Sequence, residues 1–324
     1  MTDTGVRKAL EARGISGISV VIPAYKSSAT LPDLVAELHR CVQPLVDGFE
    51  IVIVDDGSGD GTWETIEELA RNDSSVRGLQ LLRNYGQHNA LLAGIRDARQ
   101  PLVLTMDDDL QHPPSEVVKL LEALQPDVDL VYGRPEQERQ SAARNAASRV
   151  GKWAMATSLG PDVYPRSGAF RLFRRQLVAA SSEVHDPSLS IDVLLSWATN
   201  RIVDVPVEHQ DRTVGRSGYS LTRLIKHMAN MVTGYSSRPL RMVSVLGVFT
   251  AFLGFALLLY VIVRFLVSGS DVAGFTFLAA TVTLFSGVQL LSLGVLGEYV
   301  SRVHFRSMGK PVYVVRVSTD DPDR

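Results

Sequence analysis

Pro101-Leu-Val-Leu-Thr-Met-Asp-Asp-Asp-Leu-Gln-His-Pro-Pro114 is the stretch on which the reading of this chain turns. A β-prone apolar run delivers three consecutive carboxylates, and Pro113-Pro114 then stops the strand, because proline has no amide to continue it. On extended backbone, residues two apart point the same way. Asp107 and Asp109 are therefore expected on one face, with Gln111 joining them if the extension continues. Carboxylate and amide oxygens are hard ligands suited to Mg²⁺ or Mn²⁺, with water and a substrate phosphate completing the shell. Read alone, the stretch also fits an acidic turn at a strand end.

Working outward, strands and helices alternate. Residues 18–22 read as a buried strand ending in Pro23-Ala24-Tyr25, and residues 31–41 have helical apolar spacing. Residues 50–54 form a second strand ending in Asp55-Asp56-Gly57-Ser58-Gly59-Asp60-Gly61. Residues 62–71 follow as a helix with Thr62 as N-cap. Residues 79–82 are a third strand, 86–99 a helix and 102–106 a fourth strand. This order implies a mainly parallel sheet with helices on both faces, and ligands in such sheets bind at the carboxyl ends of strands. Both acidic clusters fall at such ends. Carboxylates at Asp55-Asp56 can accept hydrogen bonds from a ribose or a base. The chain shows no internal repeat.

With 324 residues and a net charge of −2, the chain fits one large or two ordinary domains and carries no nucleic-acid footprint. Its one cysteine, Cys41, excludes an internal disulfide and reads as a small buried side chain. Residues 1–17 are polar and lack the apolar core of a signal peptide. Residues 242–263 hold no charge and are long enough to span a bilayer, which needs ~20 residues. Residues 272–296 form a second apolar stretch rich in small residues. Two buried helices of a soluble domain would look similar. The tight polar break between the stretches favours a membrane hairpin. Arg238 and Arg241 precede it and Arg302, His304, Arg306 and Lys310 follow it, which puts both ends in the cytosol. Residues 221–235 carry apolar residues at helical spacing with Arg223, Lys226 and His227 interleaved, as an interfacial helix would; a packed core helix is the alternative.

Val20-Val-Ile-Pro-Ala-Tyr25, Val54-Asp-Asp-Gly-Ser58 and Met106-Asp-Asp-Asp-Leu-Gln-His-Pro-Pro114 together resemble family 2 glycosyltransferases of the GT-A fold. Arg83-Asn-Tyr-Gly-Gln-His88, Pro239-Leu-Arg-Met-Val-Ser-Val-Leu-Gly247 and Gly294-Val-Leu-Gly-Glu-Tyr-Val-Ser-Arg302 narrow the likeness to the polyprenyl-phosphate members. The resemblance implies an α/β, Rossmann-like GT-A catalytic domain over residues 1–220. It is followed by an interfacial helix (221–240), a two-helix transmembrane hairpin (241–300) and a cytosolic tail (301–324). It implies a nucleotide-sugar donor, with uridine favoured, and a polyprenyl phosphate acceptor. Mg²⁺ or Mn²⁺, homo-oligomers and a bacterial inner membrane complete the expectation. Pro23, Ala24, Tyr25, Asp55 and Asp56 would serve the nucleoside, with Gln87, His88, Asp107 and Asp108 lining the cleft. Asp109 and Gln111 would ligate the metal. Arg144, Ser148, Arg212, Arg216 and Ser220 would face the acceptor phosphate, with Arg139 and Arg149 as further cations or as ordinary surface residues.

Departures from the family pattern are equally specific. Lys26-Ser27 stands where Asn-Glu is common, Arg166 and Ala169 replace acidic residues, and Gly218 replaces a lysine in Gly215-Arg-Ser-Gly-Tyr-Ser220. A lipid phosphate is already an anion at neutral pH, since even the second pKa of a phosphomonoester is about 6, so it needs orientation rather than a base. A hydroxyl acceptor would need one, and Asp192 in Ser190-Ile-Asp-Val is the rival candidate for that role; a helix-start carboxylate is its other reading.

Overall fold

The computed structural model describes residues 3–135, 168–181, 190–208, 210, 238–268 and 274–321. The chain divides into two compact units. One runs from the N-terminus through the last strand before the apolar region and regains the C-terminal segment; the other holds the two long apolar helices.

The first unit is built on β1 (Gly17–Ala24), β2 (Gly48–Asp55), β3 (Val76–Leu81) and β4 (Leu102–Thr105). Their Val, Ile and Leu runs are apolar on both faces, as parallel strands covered by helices must be. Ile18, Val20 and Ile22 of β1 enter one core with Ile51 and Ile53 of β2, while Val21, Val52 and Val54 enter the other. On the first face lie α1 (Asp3–Ala12), α2 (Leu31–Cys41), α3 (Thr62–Asn72) and α5 (Val117–Ala123). On the second lie α4 (Gln87–Asp97) and α6 (Ile191–Ala198). Helix α4 approaches so closely that a Cβ on Gly94 would stand 2.5 Å from Val21 Cγ1.

Three strands complete the sheet: β5 (Leu130–Pro135), β6 (Arg171–Arg174) and β7 (Ile202–Val207). With β8 (Val315–Ser318) the order is β7-β5-β6-β4-β1-β2-β3-β8. β1 pairs in parallel with β2 and β4, β2 with β3, and β5 with β7. β6 is antiparallel to both neighbours and β8 to β3, so the expected mainly parallel sheet is a mixed one. The alternation rule covers only strands joined by a crossover helix, and neither β6 nor β8 is.

Two local expectations change. Gly61, at φ 92°, precedes α3, and Thr62 is the helix's first residue rather than its cap. The Thr62 hydroxyl donates to Asp60 Oδ1 at 2.6 Å and accepts the Ser27 N–H at 3.0 Å. The polar N-terminus forms α1, which buries Val6 and Leu10.

The second unit contains α7 (Arg238–Ser268) and α8 (Gly274–Ser307). Val243, Gly247, Thr250, Gly254, Leu257 and Val261 are the less exposed described positions of α7. On α8 they are Thr281, Phe285, Val288, Ser292, Val295 and Tyr299. Steps of three and four make these the two sides of a coiled-coil-like seam. A Cβ on Gly254 would lie 2.6 Å from Phe285 Cζ, so glycine admits the ring there. Outside the seam α7 is exposed and apolar, with Phe249 at 66% and Phe252 at 71%. Among the described residues, its Met242–Arg264 segment is the one long and apolar enough to cross a membrane. Helix α8 continues past the expected end at 296 to Ser307.

The expected tail is an edge strand. β8 pairs Ser318 with Leu79 and Val317 with Gln80. Arg77, 6% exposed, fastens it. Its Nη1 reaches Glu50 Oε2 at 2.8 Å, its Nε reaches Asp320 Oδ2 at 2.6 Å, and its Nη2 bonds Asp97. Burial alone would raise the Glu50 carboxyl, but the Ser19 hydroxyl, the Arg99 N–H and Arg77 outweigh it and hold the group below its usual value. Burial likewise opposes, and Arg77 and Arg99 reverse, the shift of Asp320, which also ends low. Depressed carboxyls contribute stability above their unfolded pKa of about 4 and lose it as pH falls through the lower folded values. Arg77→Met is expected to lower the melting temperature by on the order of 10 °C, since it strands a buried Glu50. It should also flatten the loss of stability below about pH 4; a scan of melting temperature against pH in detergent checks both.

Candidate active site

β4, β1, β2 and β3 are adjacent and mutually parallel, so their carboxyl ends share one edge of the sheet. From β1 the chain proceeds to β2 and β3 on one side and returns as β4 on the other. The switch point therefore lies between β1 and β4, where a ligand crevice forms in such sheets. The loops entering it are Pro23-Ala24-Tyr25-Lys26-Ser27 and Met106 to Gln111.

Asp108 joins these two loops. Its Oδ2 takes a short hydrogen bond from the Ser27 hydroxyl, and the Tyr25 N–H also reaches its carboxylate. Burial raises its pKa, and the Asp109 charge adds to the rise. Asp108 thus turns inward, unlike its expected place on the cleft wall. Asp107 faces the other way: its Oδ1 accepts Gln87 Nε2–H at 2.6 Å, which brings two expected cleft residues together at the start of α4.

The alternation argument for Asp107, Asp109 and Gln111 does not survive. The strand ends at Thr105, the chain turns at Asp108-Asp109, and Leu110 takes φ 58°, a left-handed conformation costly for a branched residue. A local turn does the gathering instead, with the Gln111 N–H donating to Asp109 Oδ1 at 3.2 Å. Asp109 and Gln111 are both part-exposed. Two hard oxygen donors on a turn beside a crevice fit a divalent ion that keeps water and phosphate ligands. Among the described residues no group of three or more His, Cys, Asp or Glu forms an all-protein cage.

The second acidic cluster is also turned inward. Asp55 is fully buried, accepting the Ser58 N–H at 3.0 Å and Gln80 Nε2–H at 3.3 Å. Asp56 accepts the N–H groups of Tyr85 at 2.7 Å and Gly86 at 2.8 Å. Burial raises its pKa, against those two bonds and with the Asp55 charge. These aspartates brace the loops. The exposed groups at this edge are Tyr25, with Lys26 Nζ 5.4 Å from its ring centroid, and Arg83, whose guanidinium lies 4.5 Å from that of Tyr85. Lys26 itself stands at φ 60°, a second left-handed residue on the rim. Pro23 and Ala24 are buried within β1. His88 Nδ1 accepts the Ile191 N–H at 3.4 Å, so that imidazole is bonded to backbone at the start of α6. Arg139, Arg144, Ser148, Arg149, Arg212, Arg216, Ser220 and the 221–235 segment lie outside the described residues.

The family model for glycosyl transferase family 2 matches residues 19–180, which include every loop of this crevice. The chain belongs to that family. The undecaprenyl-phosphate 4-deoxy-4-formamido-L-arabinose transferase of Pseudomonas paraeruginosa is 36% identical over 301 residues, covering 92% of this chain and 89% of the relative. The transferase of the same name from Yersinia pestis is 33% identical over 306 residues, covering 93% of each. Among solved structures, a glucosyl-3-phosphoglycerate synthase from Mycobacterium tuberculosis, crystallised with Mn²⁺, UDP-glucose and phosphoglyceric acid, shares the fold. Its TM-score is 0.54 at 20% identity, over 72% of this chain and 82% of that one. Like the other members of its family, this protein is a glycosyltransferase.

In this glycosyltransferase Asp192 is occupied. Its Oδ1 accepts Arg171 Nη1–H at 2.5 Å and the Tyr132 hydroxyl at 3.0 Å. Arg171, 2% exposed, also donates from Nε to Thr105 Oγ1 at 2.9 Å, and that hydroxyl donates to the Ala169 carbonyl at 2.8 Å. Burial and the Asp192 charge push the Tyr132 hydroxyl well above its ordinary value, so it stays a donor. Nothing in the sequence around Arg171 marked this network; it exists because β6 is inserted beside β4. Asp192→Asn is therefore expected to lower the melting temperature while costing less than about tenfold in kcat, whereas loss of a general base costs 10²–10⁴-fold. Steady-state rates on folded variant decide between them.

Proposed function

We propose that this protein moves one sugar from a nucleotide sugar, most plausibly UDP-linked, to the phosphate of polyprenyl phosphate at the cytosolic leaflet of a bacterial inner membrane, with inversion. The observation that carries the reading is the placing of Asp107, Asp109 and Gln111 at the switch crevice of a chain that also holds a membrane-length apolar helix. The names of the relatives support the lipid phosphate acceptor, and the Mn²⁺ and UDP-glucose of the synthase support a divalent ion with a nucleotide donor.

Each group has its task. Tyr25 offers a ring face to the nucleoside, over a floor made by Pro23, Ala24 and the loops that Asp55 and Asp56 brace. Asp107, oriented by Gln87, faces the ribose and sugar. Asp109 and Gln111 hold the ion, which when bound offsets charge on the departing diphosphate. Lys26 and Arg83 add positive charge on the nucleotide side. Arg144, Ser148, Arg212, Arg216 and Ser220 orient the acceptor phosphate, whose own oxygen attacks. No residue need remove a proton, consistent with the engagement of Asp192 by Arg171 and Tyr132.

The chain leaves the sheet after β7 and rejoins it at β8, with α7 and α8 between. A path that begins and ends in one domain crosses a membrane an even number of times. If α7 crosses, α8 returns, and the flanking basic residues put the catalytic domain in the cytosol.

Purified enzyme given undecaprenyl phosphate, Mg²⁺ or Mn²⁺ and a panel of UDP-sugars should yield a glycosylated lipid phosphate. Transfer only to glycan or protein acceptors sinks the acceptor assignment. Asp109→Ala should lose at least about a hundredfold in kcat, while full retained activity removes Asp109 from the metal site.

A further inference from the structure

We infer that Glu116 is a positioning residue for the acceptor: it clips the chain leaving β7, which leads to Arg212, onto the loop that carries Asp109 and Gln111. The inference rests on the function proposed above and deepens it.

Glu116 ends a short 3₁₀ turn, Pro114–Glu116, set by Pro113-Pro114, and is 7% exposed. Its Oε2 accepts Lys119 Nζ–H at 2.7 Å and the backbone N–H of Glu208 at 2.8 Å. A buried carboxylate is costly unless it is paired and bonded, and here it is both. Glu208 is itself acidic, so charge attraction cannot account for the approach; the bond serves the backbone. Two residues on, the Gln210 N–H donates to the Gln111 carbonyl at 2.9 Å. The strand exit is thus tied at two points, residues 208 and 210, to residues 116 and 111. Arg212 follows Gln210 by two residues, a reach of at most about 7 Å of extended chain. The acceptor segment therefore starts beside the residue assigned to the metal.

The loop is fixed from its other side as well. His112 stacks on buried Phe170 with ring centroids 5.1 Å apart and planes 7° apart. The Phe170 carbonyl in turn accepts the Gly133 N–H at 2.9 Å. With one side held by that stack, the Glu116 clip is what sets the distance between the donor loop and the strand that leads to the acceptor cations. Lipid phosphate and donor are brought into line by this distance, and neither Glu116 nor Glu208 need touch either one.

The test compares two constants in the full-length enzyme in detergent: KM for undecaprenyl phosphate, and affinity for UDP with Mn²⁺ by calorimetry. Glu116→Ala should raise the first about tenfold and leave the second within about twofold. Glu116→Gln, which keeps an oxygen for the Glu208 N–H, should restore the first to within about threefold. Should the alanine variant not fold, Glu116→Asp, which keeps the charge but shortens the reach, is expected to raise the acceptor KM in the same selective way. Any other pattern, with both constants changed, neither changed, or no rescue by glutamine, overturns the inference. A wild-type enzyme that binds UDP but glycosylates no lipid phosphate refutes the proposed function instead, and shows itself before any variant is made.

Discussion

Asp108 sits where two loops from neighbouring parallel strands must meet. Its bonds to Ser27 and to the Tyr25 N–H join the carboxyl end of β1 to that of β4. Because the strands diverge in connectivity here, no covalent link does this job. The bond turns one aspartate of the Asp107-Asp108-Asp109 run inward, and its neighbours are left to face outward. The placing of Asp107 against Gln87 and the turn from Asp109 to Gln111 both follow from that division.

A second constraint concerns charge. The crevice holds aspartates that would repel a diphosphate if all pointed into it. Asp55, Asp56 and Asp108 are instead consumed by backbone N–H groups, a glutamine and a hydroxyl inside the protein. Lys26 and Arg83 stand on the rim with their aromatic partners. Such a site suits an anionic donor and an anionic acceptor, and it accords with the absence of a free base at Asp192. Strain is concentrated in the same place: Lys26 and Leu110, the two non-glycine residues with positive φ among those described, flank the switch point.

At the opposite edge of the sheet, Arg77 binds Glu50, Asp97 and Asp320, and so connects β2, β3 and the end of α4 to the segment after β8. The apolar helices therefore leave from and return to one folded domain. This explains why a polar tail that could have trailed free ends as a strand. Its residues, Val315-Arg-Val-Ser318, alternate as an edge strand should, but a four-residue pattern carries too little signal beyond a long hydrophobic region to be recognised alone.

The order of strands β1 to β4, their helices and the two apolar helices could be read from the chain itself, because each rests on local periodicity and on Val/Ile runs that only a doubly covered strand tolerates. So could the identity of the acidic loops, since strand ends followed by Asp, Gly and Pro announce themselves. Tertiary structure decided the rest: which aspartates face the crevice, that β6 intrudes antiparallel and brings Arg171 to Asp192, that β8 closes the sheet, and that Glu116 meets Glu208 across 92 positions. Such pairings depend on packing between segments far apart in the chain, and local pattern holds no information about them.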